Sequence, residues 1–163
     1  MKLKSKQPEE SKASLPSISP PALDAIHALA RHCHRQSDFS RATDLYRILT
    51  IADPFEKDYW LGLGKAQQDL EDFSSAIKAY ASACLLELEN PTPHFHAAEC
   101  YLSLGKFQDA AKALRAAENF GKLQKQEHQW ILQQAALMRR VWGKKLELKD
   151  KYHGQQHRKT ITR

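Results

Sequence analysis

Slid against itself by 34 residues, the chain falls into register three times. Phe39, Phe73 and Phe107 align, as do Ala42, Ala76 and Ala110, and Tyr46, Tyr80 and Leu114. The stretches SDFSRATDLY, EDFSSAIKAY and GKFQDAAKAL are one element written three times. Upstream of each, Leu29-Ala30, Leu63-Gly64 and Ala97-Ala98 align as well. A period of this length marks a stack of like units. No unit can bury its apolar face alone, so each needs its neighbours for stability.

The unit is helical. Few β-branched runs occur and nothing alternates strictly, as a strand would require. Asp53-Pro54, Asn90-Pro91 and Gly105 punctuate the chain, and Asn90 suits an N-cap with Pro91 at the first helical position. The pattern predicts helices near 22–36, 39–52, 57–70, 73–88, 91–104 and 107–119. A seventh is expected from about 124 to 150, where Trp130, Ile131, Leu137, Met138 and Val141 recur at helical spacing. Paired helices at this period are the tetratricopeptide repeat signature.

The expected fold is therefore all-α. Residues 21–122 form three helix-turn-helix repeats in a right-handed superhelix, and a C-terminal helix over 123–150 caps the stack with a polar outer end. The small residues at 30, 64 and 98, with Ala42, Ala76 and Ala110, let paired helices approach closely, while the aligned aromatics fill the space between repeats. Residues 1–20, rich in Ser, Lys, Pro and Glu, bury too little apolar surface to order themselves and read as flexible. Residues 151–163 form a basic tail.

The net charge is +6, but the stretch from Arg139 to Arg163 carries +7 and leaves −1 for the preceding 138 residues. The basicity belongs to the tail and says little about the folded body, so nucleic acid is not an expected partner. No apolar run reaches the roughly 20 residues that span a bilayer, which argues against membrane insertion. The N-terminal residues MKLKSKQPEESKAS lack the apolar region of a secretory signal, which points to the cytosol. Three scattered cysteines, Cys33, Cys84 and Cys100, make a poor disulfide framework and read as small buried apolar residues.

In stacked helix pairs the first helix of each pair lines a concave inner face, which binds extended segments. The inward positions are Asp24, His27, Arg31, His34 and Arg35 in the first repeat. They are Asp58, Leu61, Lys65, Gln68 and Asp69 in the second, and Thr92, Phe95, Glu99, Leu102 and Ser103 in the third. The face is basic and His-rich at one end and apolar at the other. It suits a peptide with acidic groups at one end and apolar side chains at the other. Single positions on it can equally be solvated helix surface, since hot spots make up under about a third of interface residues.

His32-Cys33-His34 resembles a metal cluster, but adjacent helix residues point in different directions, and zinc needs three or four converging ligands. No metal or cofactor is expected. No nucleophile–base pairing, phosphate-binding loop or paired carboxylates stand out, so no catalytic residue is expected and the chain does not read as an enzyme.

Residues 23–120 resemble the LcrH/SycD-type class II chaperones of bacterial type III secretion, most specifically in YWLGLG (Tyr59 to Gly64) and FHAAEC (Phe95 to Cys100). The resemblance implies a cytoplasmic, ATP-independent, non-enzymatic chaperone. It would hold an extended segment of a hydrophobic secreted translocator in the groove and keep that client soluble and secretion-competent. Leu61, Tyr80 and Phe95 would receive the client's apolar anchors, beside His27, Arg31, His34, Lys65, Glu99 and Leu102. A homodimer is the second partner the resemblance allows. The chain departs from the family pattern at His27, Arg31 and His34, where aromatics are common, and in its basic tail and short Pro-rich N-terminus.

Two other readings stay open. One is a general adaptor that grips a carboxylate-terminated peptide with Arg31 and Lys65, although the Asn partners expected beside such a clamp are absent. The other is a tail-driven nucleic-acid or membrane association, which steep salt dependence would reveal.

Overall fold

The computed structural model describes residues 18–123 and 128–147. Those residues form seven helices: α1 (Pro20–Arg35), α2 (Phe39–Ala52), α3 (Lys57–Asp69), α4 (Phe73–Leu86), α5 (Pro91–Ser103), α6 (Phe107–Leu123) and α7 (Gln129–Glu147). Among the described residues there is no strand. Each helix packs mainly on its neighbours in sequence, and α1 with α3, α3 with α5, and α5 with α7 also touch. The odd-numbered helices therefore lie side by side and make one face.

Each pair turns through the same backbone device. After α1, the amides of Gln36, Ser37 and Asp38 donate back to the carbonyls of His32, His34 and Cys33. The amides of Leu70, Glu71 and Asp72 do the same after α3, and those of Leu104, Gly105 and Lys106 after α5. The middle residue is left-handed each time, with φ of 60° at Ser37, 61° at Glu71 and 68° at Gly105. Only the third copy has the glycine that this helix ending favours. The next residue opens the following helix. Asp38 and Asp72 accept from the amides of Arg41 and Ser75, each at 3.2 Å, and so satisfy donors the helix start leaves unpaired.

The aligned small residues are where the helices meet. Ala30, Ala42, Ala76 and Ala98 are fully buried. A Cβ at Gly64 would stand 2.5 Å from Tyr80 Cε1, so that glycine is required by the buried ring. The core continues from Ala30, Cys33, Tyr46 and Leu49, through Ala76, Tyr80 and Cys100, to Phe95, Leu114 and Ile131.

Several boundaries differ from expectation, the ends of α1, α3, α4 and α5 by one or two residues. Helix α1 begins at Pro20, because two prolines fit the first turn, where no intrahelical amide is needed. Helix α6 runs to Leu123, past the expected end at 119, since Gly121 is a packing site: a Cβ there would lie 3.1 Å from Leu132 Cδ2 of α7. Helix α7 begins at Gln129, and the parts of the expected helix at 124–127 and 148–150 lie outside the described residues, as do residues 1–17 and the basic tail. Helix α7 covers α6 through buried Ile131 and Ala135, and the Arg139 guanidinium grips Glu118 at 2.6 and 2.8 Å. Its outer surface is less polar than expected, since Trp130, Leu137 and Val141 are exposed.

Candidate functional site

The face made by α1, α3 and α5 carries residues one helical turn apart along each helix. His27, Arg31 and His34 line α1, Leu61, Lys65 and Gln68 line α3, and Phe95, Glu99 and Leu102 line α5. This i, i+4, i+7 spacing places each set on a single stripe.

Between α1 and α3 lies a cleft of about 390 Å³, lined by His27, Arg31, His34, Arg35, Tyr46, Asp58, Leu61, Gly62 and Lys65. Its floor is the Tyr46 ring, which lies over Gly62 where a side chain would stand 2.2 Å from Tyr46 Cε1. The His27 ring meets Tyr46 and Tyr59 edge-on at 5.9 and 5.1 Å. Burial pushes the Tyr46 hydroxyl above its ordinary pKa, and the nearby Arg31 charge partly opposes that rise. Among the described residues, no carboxylate forms an ion pair with Arg31, Arg35 or Lys65.

A smaller cleft of about 160 Å³ continues towards α5 and is lined by His34, Lys65, Gln68, Asp69, His96 and Glu99. Several of its polar groups are already partnered. The Tyr80 hydroxyl donates to Gln68 Oε1 at 2.7 Å, and Gln68 Nε2 donates to Glu99 Oε2 at 3.1 Å. His96 Nδ1 stands 2.8 Å from the same Glu99 oxygen, a contact that needs a proton on Nδ1. His34 Nε2 lies 2.8 Å from Asp69 Oδ2.

The structure thus brings His27, Arg31, His34, Leu61, Lys65 and Glu99 into one continuous groove. The other three sequence candidates sit behind it. Tyr80 is fully buried and Phe95 is 3% exposed, against the expectation that both face the groove as open receivers. The reason for Phe95 is α7, whose Trp130 ring packs edge-on against it at 5.6 Å. Tyr80 is held down by stacking on His96 at 5.6 Å and by its bond to Gln68. Leu102 is half-buried against the cluster of Phe95 and Ile131.

The repeat architecture decides the family. The tetratricopeptide repeat model matches residues 27–84 and 61–124. The chain belongs to the tetratricopeptide repeat family. Within it, the chain is 28% identical to the low calcium response locus protein H of Yersinia pestis over 106 residues, 65% of this chain and 63% of that protein. The match therefore spans less than two thirds of that relative. Among solved structures, the chain is similar to PcrH in complex with the chaperone binding region of PopD, with a TM-score of 0.74 and 26% identity over 78% of this chain and 96% of that one. It is equally similar to the Yersinia enterocolitica type III secretion translocator chaperone SycD in an alternative dimer, with a TM-score of 0.75 and 25% identity over 79% and 97%. Its relatives are thus the LcrH/SycD chaperones.

Two features of this repeat protein escaped the sequence reading. One is the polar chain from Tyr80 through Gln68 and Glu99 to His96, for which no local pattern is a signal. The other is a mostly apolar cleft of about 470 Å³ between α4, α5 and α6, lined by residues including Ile77, Cys84, Leu85, His94 and Tyr101. The 34-residue register could have hinted at it, since exposed Ile51 and Leu85 occupy matching positions at the ends of α2 and α4. The cysteines behave as small apolar residues: burial pushes the thiols of Cys84 and Cys100 up to about 11 and about 12. Among the described residues, no three His, Cys, Asp or Glu side chains cluster as a metal site, and no helix is long and apolar enough to cross a membrane.

Proposed function

We propose that the chain is a cytoplasmic bacterial chaperone of type III secretion. It holds an extended segment of a hydrophobic translocator in the groove of α1, α3 and α5 and keeps that client soluble until export. The observation that carries the reading is the fold correspondence to PcrH bound to the chaperone binding region of PopD, over 96% of that chain, joined to an open groove between α1 and α3 here. The physical need is clear. Membrane-inserting helices expose apolar patches that aggregate in water, and a folded partner that grips one extended segment prevents this without ATP or catalysis. His27, Arg31, His34, Leu61, Lys65 and Glu99 contact the segment, while Tyr80, Phe95 and Leu102 form the rigid wall behind it. A homodimer is a further assembly of this chain, in keeping with SycD.

The test is capture from the source cell's lysate by tagged full-length protein beside a Leu61→Asp/Lys65→Ala variant, with bound proteins identified by mass spectrometry. A secreted protein with apolar membrane segments should appear with the wild type and be lost with the variant. Equal capture of other proteins by both would refute the groove assignment.

A further inference from the structure

The cleft between α1 and α3 is an unusual place to receive an apolar anchor. Three cations line it, Arg31, Arg35 and Lys65, against the single unpaired carboxylate of Asp58. Further along the groove, Asp69 Oδ2 lies 2.8 Å from His34 Nε2, and Glu99 accepts from Gln68 and stands against His96. The Tyr46 ring packs onto Gly62 and floors the cleft, and Leu61 lines it beside the cations. Like charges gathered side by side attract an anion between them, and a carboxylate can bond a guanidinium through two parallel contacts.

We propose that this end of the groove is a carboxylate site: an Asp or Glu of the bound segment sits between Arg31, Arg35 and Lys65, next to an apolar residue packed on Leu61. The inference rests on the groove being the peptide site and adds which chemistry the segment must carry. The client class is then an extended peptide with an acidic residue at a fixed offset from its apolar anchor.

A decapeptide library with one fixed Leu and all other positions randomised, panned on the immobilised full-length protein, tests this. The wild type should enrich Asp or Glu at one offset from the Leu. Arg31→Gln or Lys65→Gln should weaken a selected peptide about tenfold or more, as loss of a charge-assisted hydrogen bond does. Arg31→Glu/Lys65→Glu should switch the selected residue to Lys or Arg. Arg31 is exposed and Lys65 half-buried, so the variants should keep the wild-type melting curve. Convergence on purely apolar peptides, unchanged in the charge-reversed variant, would overturn the carboxylate site and leave the groove reading standing. Recovery of no peptide, or equal binding to Leu61→Asp, would overturn the groove reading and this inference together.

Discussion

Tyr46 and Tyr80 stand one period apart, yet they face different partners. Tyr46 lies over Gly62 and floors an open cleft, whereas Tyr80 wedges against Gly64, stacks on His96 and is fully buried. The glycines are what let both rings in. Gly64→Ala would place a methyl 2.5 Å from a ring that cannot retreat, and should cost about 1–3 kcal/mol in denaturant unfolding. A wild-type midpoint for that variant would show that Tyr80 has room to move. The turn residues carry the opposite opportunity. Ser37 and Glu71 hold the left-handed conformation that Gly105 holds in the third repeat, and both are exposed. Ser37→Gly and Glu71→Gly should each raise stability by about 0.5–1 kcal/mol, because relief of the Cβ clash outweighs the added freedom of the unfolded chain. Loss of stability in both would mean their side chains hold the turn.

At the scale of the element, α7 decides what the third repeat can offer. It covers Phe95 with Trp130, seats Leu132 on Gly121 and is anchored by the two-pronged contact of Arg139 with Glu118, whose side chain is 18% exposed. Glu118→Gln should loosen α7 by about 1 kcal/mol, read as faster amide hydrogen exchange in α7 with α1–α4 unchanged. Unchanged exchange in the variant would mean that the apolar contacts alone dock the helix. Phe95→Ala follows the same logic. As a core truncation it should cost about 3–5 kcal/mol, so its melting temperature falls and any loss of binding comes with loss of fold.

For the whole molecule, His94 contributes to the acid response, beside the lowered carboxylates of Asp72 and Glu87. Burial holds its pKa below the usual 6.5, and its ring stacks on Phe120 at 5.3 Å. The unfolded chain therefore binds a proton at a pH where the folded chain does not. Stability from this group is present above the unfolded pKa and is lost as pH falls from there towards the folded value. Unfolding free energy should fall on acidification below about pH 6.5, the unperturbed histidine value, and His94→Gln should flatten part of that slope. An identical slope in the variant would place the acid sensitivity in other groups.

The sequence by itself determined the repeat. Its period, its helix pairs, the close-packing small residues and the stripes of the inner face are all local, because each depends on residues within one period and on helical spacing. The cations of the α1–α3 cleft were legible for the same reason. Which candidates stay open could only be decided in three dimensions. Phe95 and Leu61 occupy the same position of adjacent repeats, and only a helix more than 30 residues downstream of Phe95 closes one and leaves the other at the groove. Helix α6 likewise runs past its expected end at 119, because Gly121 gives Leu132 of α7 the space to pack. Burial is set by what packs from elsewhere in the chain, and a repeat pattern carries no information about the element that ends it.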